Sequence, residues 1–167
     1  MFGWWMRNLI ILLVFAGGIN LAAAQATGSP PDPIYPDPIK TPGVFSVDAT
    51  LDKICQKGYT ATVRHVTDKQ KDEVFQEYGL ERSGNYEVDH LISLELGGSN
   101  DTRNLWPQSY HGIWSARIKD GLENRLHTLV CDGKVTLREA QLDISTNWIK
   151  AYCKYMPTDN CRGVNTQ

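Results

Sequence analysis

The sequence predicts an α+β fold: one small antiparallel β-hairpin with three main helices, stabilised by disulfides and tethered behind a proline-rich linker. Three observations lead there. Two stretches carry helix-start signals of the capping-box type, Thr67-x-x-Gln70 and Thr136-x-x-Glu139. A strand-like run, Tyr86 to Leu96, lies between the turn residues Ser83-Gly84-Asn85 and Gly97-Gly98-Ser99-Asn100. A third helix is written in the spacing of Trp114, Ile118, Leu122, Leu126 and Leu129, which recur on one face. At 167 residues the chain suffices for one domain with a real core.

Residues 1–24 carry an export signal. Arg7 is the one charge before the apolar run Leu9 to Ala16, and the small residues Ala22-Ala23-Ala24 suit a signal peptidase. Cleavage is expected near Ala24 or Ala26. The competing reading, an uncleaved anchor, suffers because the run is short of the roughly 20 residues that a membrane span needs. Export implies a secreted or periplasmic protein with no stable membrane association after cleavage.

Residues 25–43 hold six of the eight prolines, at 30, 31, 33, 36, 38 and 42. Proline fixes φ and removes an amide donor, so an extended linker is expected. The folded domain is then 44–167. Its first part, Ser46 to Val66, reads as mostly extended, with Tyr59 to Arg64 the best strand candidate. The helix opened at Thr67 presents Val74, Phe75 and Tyr78 and stops at Gly79. The helix through the Trp114 stripe starts at Ile113 or Trp114 and ends near Cys131-Asp132-Gly133. The last helix runs from Thr136 to about Tyr155, with Ile144, Trp148 and Tyr152 four residues apart as core.

Four cysteines, none in a C-x-x-C pair, argue against a zinc knuckle and for two disulfides in an oxidising compartment. Three connectivities are open. The favoured one joins Cys153 to Cys161 around Pro157, which leaves Cys55 with Cys131. The formal charge of −2 and pI of about 6.1 exclude a global basic field and disfavour a tight sequence-specific DNA binder. They leave room for an enzyme with a local cluster of cations.

The informative stretch is Glu87 to Pro107, EVDHLISLELGGSNDTRNLWP. Asp89-His90, Leu94, Gly97-Gly98, Asn104-Leu105 and Pro107 resemble, in order and spacing, the hairpin of the HNH endonucleases, which belong to the His-Me finger or ββα-metal nucleases. The helix containing Lys119-Asp120-x-x-Glu123-Asn124-x-x-His127 stands in place of that family's α element. About 40 residues carry the resemblance. It implies phosphodiester hydrolysis of DNA, with RNA as the alternative substrate, and the lack of any recognisable helix-turn-helix or zinc-finger reader argues for low sequence specificity. His90 is the expected general base, since an imidazole titrates near neutral pH. Asp89 is an expected ligand to a divalent cation, Mg²⁺ first and Mn²⁺ second. Asn104 is expected to pin the loop or orient the histidine, and is counted with the catalytic residues.

The helical ligand is less determined. His111, Glu123, Asn124 and His127 compete, and Glu123 is preferred because it falls at the edge of the apolar stripe, with His127 and Asn124 behind it. Arg64, His65, Arg103, Lys119 and Arg125 are candidate phosphate ligands. Arg64, which precedes the hairpin, is named for the role, although any of the five serves equally well as a surface salt-bridge partner. An immunity or inhibitor protein is a conceivable partner that no residue specifies. The alternative to an enzyme is a disulfide-stabilised binding module on a degenerate HNH scaffold.

Overall fold

The computed structural model describes residues 35–164. The proposed signal peptide and the first part of the linker lie outside those residues. The architecture is α+β: a two-stranded antiparallel sheet with helices on both sides, closed by two disulfides. Two short helices, α1 (Leu51–Ile54) and α2 (Tyr59–Val63), precede α3 (Asp68–Glu77). The hairpin strands β1 (Tyr86–His90) and β2 (Leu105–Ser109) follow, joined by a loop with 3-10 turns at Leu94–Leu96 and Thr102–Asn104. Helices α4 (Ala116–Cys131) and α5 (Leu137–Tyr155) complete the chain, before a 3-10 turn at Asp159–Cys161.

Both predicted starts open helices, but only Thr67–Gln70 closes a full capping box; the Glu139 side chain bonds Lys154 and Tyr155 instead. Thr67 accepts from the Gln70 amide while Gln70 reaches back to the Thr67 amide, and Thr136 accepts from Glu139 N. Helix α5 breaks at Asn147, whose extended backbone (φ −163°, ψ 95°) interrupts the ladder. The Asn147 side chain then accepts from Lys150 N at 3.0 Å, so it restarts the helix as a cap.

Leu122, Leu126 and Val130 of α4 meet Ala140, Ile144, Trp148 and Tyr152 of α5, and Leu91, Ile92, Leu96 and Trp106 from the hairpin close the core. Trp114 packs edge-on against Trp148 and Tyr152, with centroids 5.9 and 5.7 Å away. Cys55–Cys131 ties the end of α1 to the end of α4, and Cys153–Cys161 ties α5 to the segment after it. These bonds place the folded chain in an oxidising compartment. No helix among the described residues is long and apolar enough to cross a membrane.

Several expectations fail. The strand begun at Tyr86 ends at His90, not Leu96, and Ser46 to Val66 is not mostly extended, since Leu51–Ile54 is helical. Tyr59–Val63 is helical too, not a strand. A strand needs a ladder partner, and the β-branched residues here carry only a context-dependent preference. Gly58, at φ 83°, turns the chain into the helix, and the Val63 carbonyl takes its donor from the Asn100 side chain at 2.7 Å. Residues 35–43 are not a free linker either. Thr41 is buried, donates to the Leu105 carbonyl at 2.9 Å and shares a 2.7 Å bond with the Tyr78 hydroxyl. Asp37 N donates to the same hydroxyl. Proline removes donors but leaves every carbonyl and side chain free to pack, and Tyr78 supplies the anchor.

Candidate active site

Cross-strand pairing sorts the hairpin side chains by face. Glu87 pairs with Gln108 and Asp89 with Trp106, so these four share the face toward α4. Val88 and His90, paired with Pro107 and Leu105, share the other face, toward α2 and α3. Asp89 and His90 therefore point to opposite sides of one strand. They can line one cavity because, among the described residues, β1 pairs with β2 alone. A cavity of about 200 Å³ lies along its open edge, lined by Glu87, Asp89, His90, Asp120, Glu123 and Arg64 among others, and it collects side chains from both faces.

The loop that carries the strand end is built by Asn104 and two glycines. Asn104 is fully buried and spends its amide entirely on backbone. Its oxygen accepts from Val44 N and Ile92 N, and its nitrogen donates to the Ile92 and Ser99 carbonyls, all within 3.2 Å. Gly97 sits at φ 76°, and a Cβ on Gly98 would collide with the Ile92 carbonyl. None of these four bonds goes to His90, so Asn104 pins the loop, the first of its two expected jobs. Asn104→Ala is expected to cost about 3 kcal/mol or more in urea denaturation, because each buried backbone group left unpaired costs about 1–3 kcal/mol. Asn104→Asp should not restore it, since a carboxylate cannot donate to two carbonyls.

His90 is 4 % exposed. Its Nε2 lies 3.0 Å from Asn100 Oδ1. The Asn100 amide nitrogen is committed to the Val63 carbonyl, which turns its oxygen toward the imidazole. Nε2 is thus the protonated nitrogen and Nδ1 the basic one. Burial holds the imidazole below its ordinary pKa, against the Asn100 bond and the Asp89 charge, which favour the cation.

The residue that organises the acidic side is Lys119. It is buried completely, and its ammonium donates to Asp89 Oδ2 and the His90 carbonyl, both at 2.7 Å, and to Glu123 Oε1. Burial works to lower its pKa, and the Asp89 and Glu123 charges more than reverse that. Glu123 takes a further bond from Ser93 Oγ at 2.9 Å. Burial pushes up the carboxyls of Glu123, Glu87 and Asp120, and the neighbouring Asp89 charge adds to each.

Glu123 thus meets Asp89 only through an ammonium. The cation they share in this structure is Lys119. Among the described residues, three potential ligand atoms come within 4.8 Å of one another at Cys55, His127 and Cys131. Both sulfurs there are in a disulfide and offer no thiolate. The cavity nevertheless suits a hard cation. Its four carboxylates, Glu87, Asp89, Asp120 and Glu123, face two cationic groups, Arg64 and Lys119, which leaves two formal negative charges. Mg²⁺ keeps several waters and asks for only one or two carboxylates.

The other candidates lie elsewhere. His127 bonds the Ile54 carbonyl beside the disulfide, and Asn124 bonds back to Asp120 O on an exposed face. His111 is at the far end of the hairpin, facing Asn85. His65 bonds Thr62 O, Arg103 forks onto Asp101, and Arg125 is exposed. Of the candidate cations only Arg64 and Lys119 reach the site, Arg64 by lining the cavity. Asn100 was missed because it stands in a run that reads as a turn. No protein-family model, no curated protein and no solved structure matches this chain.

Proposed function

We propose that this protein is an exported, metal-dependent endonuclease of the ββα-metal type, hydrolysing phosphodiester bonds of DNA or RNA with low sequence specificity. One observation carries the reading: an imidazole held neutral by burial, with its tautomer fixed by Asn100, beside Asp89 in a polar cavity at an open strand edge. His90 Nδ1 takes a proton from water as that oxygen bonds to phosphorus. The bond to the 3′ oxygen breaks, and the leaving oxygen takes its proton from solvent. Asp89, with Asp120 and Glu87 beside it, would hold Mg²⁺, or Mn²⁺ in its place, to neutralise charge on the phosphorane. Arg64 supplies the phosphate contact from the protein side. The negative charge of the cavity itself is what the cation must offset before a phosphate can enter.

The test is incubation of the oxidised protein with plasmid DNA and with RNA, in Mg²⁺, in Mn²⁺ and in EDTA. Cutting that requires the metal supports the proposal. A folded protein that cuts neither substrate in any condition would shift the reading to a binding module, for which the closed Asp89–Lys119–Glu123 contact is the favouring observation.

The pH dependence has a definite sign. A base must be neutral to act, so activity falls as pH drops through its pKa. Because burial lowers that value, the acid limb of kcat/KM is expected below the ordinary histidine value of 6.5. A limb above 6.5 would remove His90 from the role.

A further inference from the structure

Outward from Asp89 and His90 the surface opens into a second, wider groove of about 550 Å³. The two spaces meet at Arg64, Glu87, Val88 and His90. Lys71 of α3 and Arg82 of the following loop line the groove, and Arg64 stands at the junction. Two tyrosines, Tyr86 and Tyr110, line the same groove. Tyr86 is held edge-on by Phe75, with centroids 6.3 Å apart. Tyr110 is tethered by its hydroxyl, which donates to Glu87 at 2.9 Å, and the residue is 39 % exposed.

We infer that this groove binds a single strand of nucleic acid, with phosphates on Arg64, Lys71 and Arg82 and a base stacked on Tyr110, and that it threads one phosphate to His90. The inference rests on the nuclease reading and adds the substrate class. Cations interleaved with aromatic rings suit a strand whose bases are unstacked. The depth of the site points the same way. The imidazole is only 4 % exposed at the wall that the groove shares with the cavity of about 200 Å³. A duplex presents its phosphates on a convex surface that cannot reach a recessed group. One chain of phosphates can. Arg82 is held on Asp68 and Asp72 at 2.9 Å, and Lys71 on Asp68 at 3.5 Å. Exposed pairs of this kind are loose and exchange readily for phosphate.

The test separates binding from cutting. Fluorescence anisotropy would use His90→Ala protein in EDTA, with labelled 15-mers of oligothymidylate and oligouridylate and a 15-base-pair DNA duplex. Either single strand is expected to bind at least about tenfold tighter than the duplex, and the two single strands show which sugar is preferred. Three phosphate contacts should weaken single-strand binding about 20-fold between 50 and 200 mM salt. Arg64→Ala with Arg82→Ala should weaken it at least tenfold, and Tyr110→Ala severalfold. All three positions are exposed, so circular dichroism should show unchanged folds. Duplex binding as tight as single-strand binding, or groove variants with unaltered affinity, would overturn the inference. If the wild type cuts while the groove variants bind normally, the groove falls and the nuclease stands. If single strands bind as expected and nothing is cut, the groove stands and the nuclease falls.

Discussion

His90→Ala is expected to lower phosphodiester cleavage at least about a hundredfold while the protein stays folded. The magnitude follows from the chemistry: without a positioned base, water must lose its proton to solvent. The stability cost should be modest, because the imidazole makes one side-chain hydrogen bond, to Asn100, and itself lines the cavity, so water can take its place. Asn100 offers a sharper control. Asn100→Asp places a carboxylate against Nε2, which favours the imidazolium and raises its pKa. The acid limb of kcat/KM should therefore move upward, a change that a merely structural contact would not produce. Rates within tenfold of wild type for His90→Ala would mean that another group removes the proton.

The parts of this site legible in the sequence are those that a backbone conformation dictates. Gly97 and Gly98 could be read as a turn because one needs a left-handed φ and the other has no room for a Cβ. The Thr67–Gln70 and Thr136–Glu139 starts were legible because a cap is local. Asn100 was not, since its partners are Val63 and His90, brought together only by the fold. Nor was Tyr59–Val63, where local preference for a strand yields to anchoring by Gly58 and Asn100. Lys119 shows the limit most clearly. A helix wheel lays it about 20° past Leu126, at the edge of the apolar stripe. A lysine in that place reads as a solvated neighbour of the stripe until its three acceptors are seen.

Lys119→Met should destabilise the protein by about 3–5 kcal/mol at pH 7, the usual result of removing one partner from a buried charge network. Methionine keeps the length of the side chain, so the loss reports charge and hydrogen bonding, not a cavity. What remains is two carboxylates, Asp89 and Glu123, facing each other with side chains only 13 % exposed. The folded-state pKa of Glu123, already raised by burial, must then rise further above the unfolded one. A carboxyl with a raised folded pKa loses stability as pH climbs past its unfolded value, about 4.3 for glutamate. The penalty disappears as pH falls back through the folded value. Urea denaturation should therefore show the variant regaining stability relative to wild type between pH 7 and pH 5. Adding Glu123→Gln should recover part of the loss at pH 7, because one of the two uncompensated charges is gone. A cost under about 1 kcal/mol, or a deficit that ignores pH, would show that the ammonium is not what holds Asp89 beside His90. The same substitution probes the site itself. Lys119 fixes both the Asp89 carboxylate and the His90 carbonyl, so a variant folded at pH 5 but slow to cleave would assign it a positioning role beyond stability.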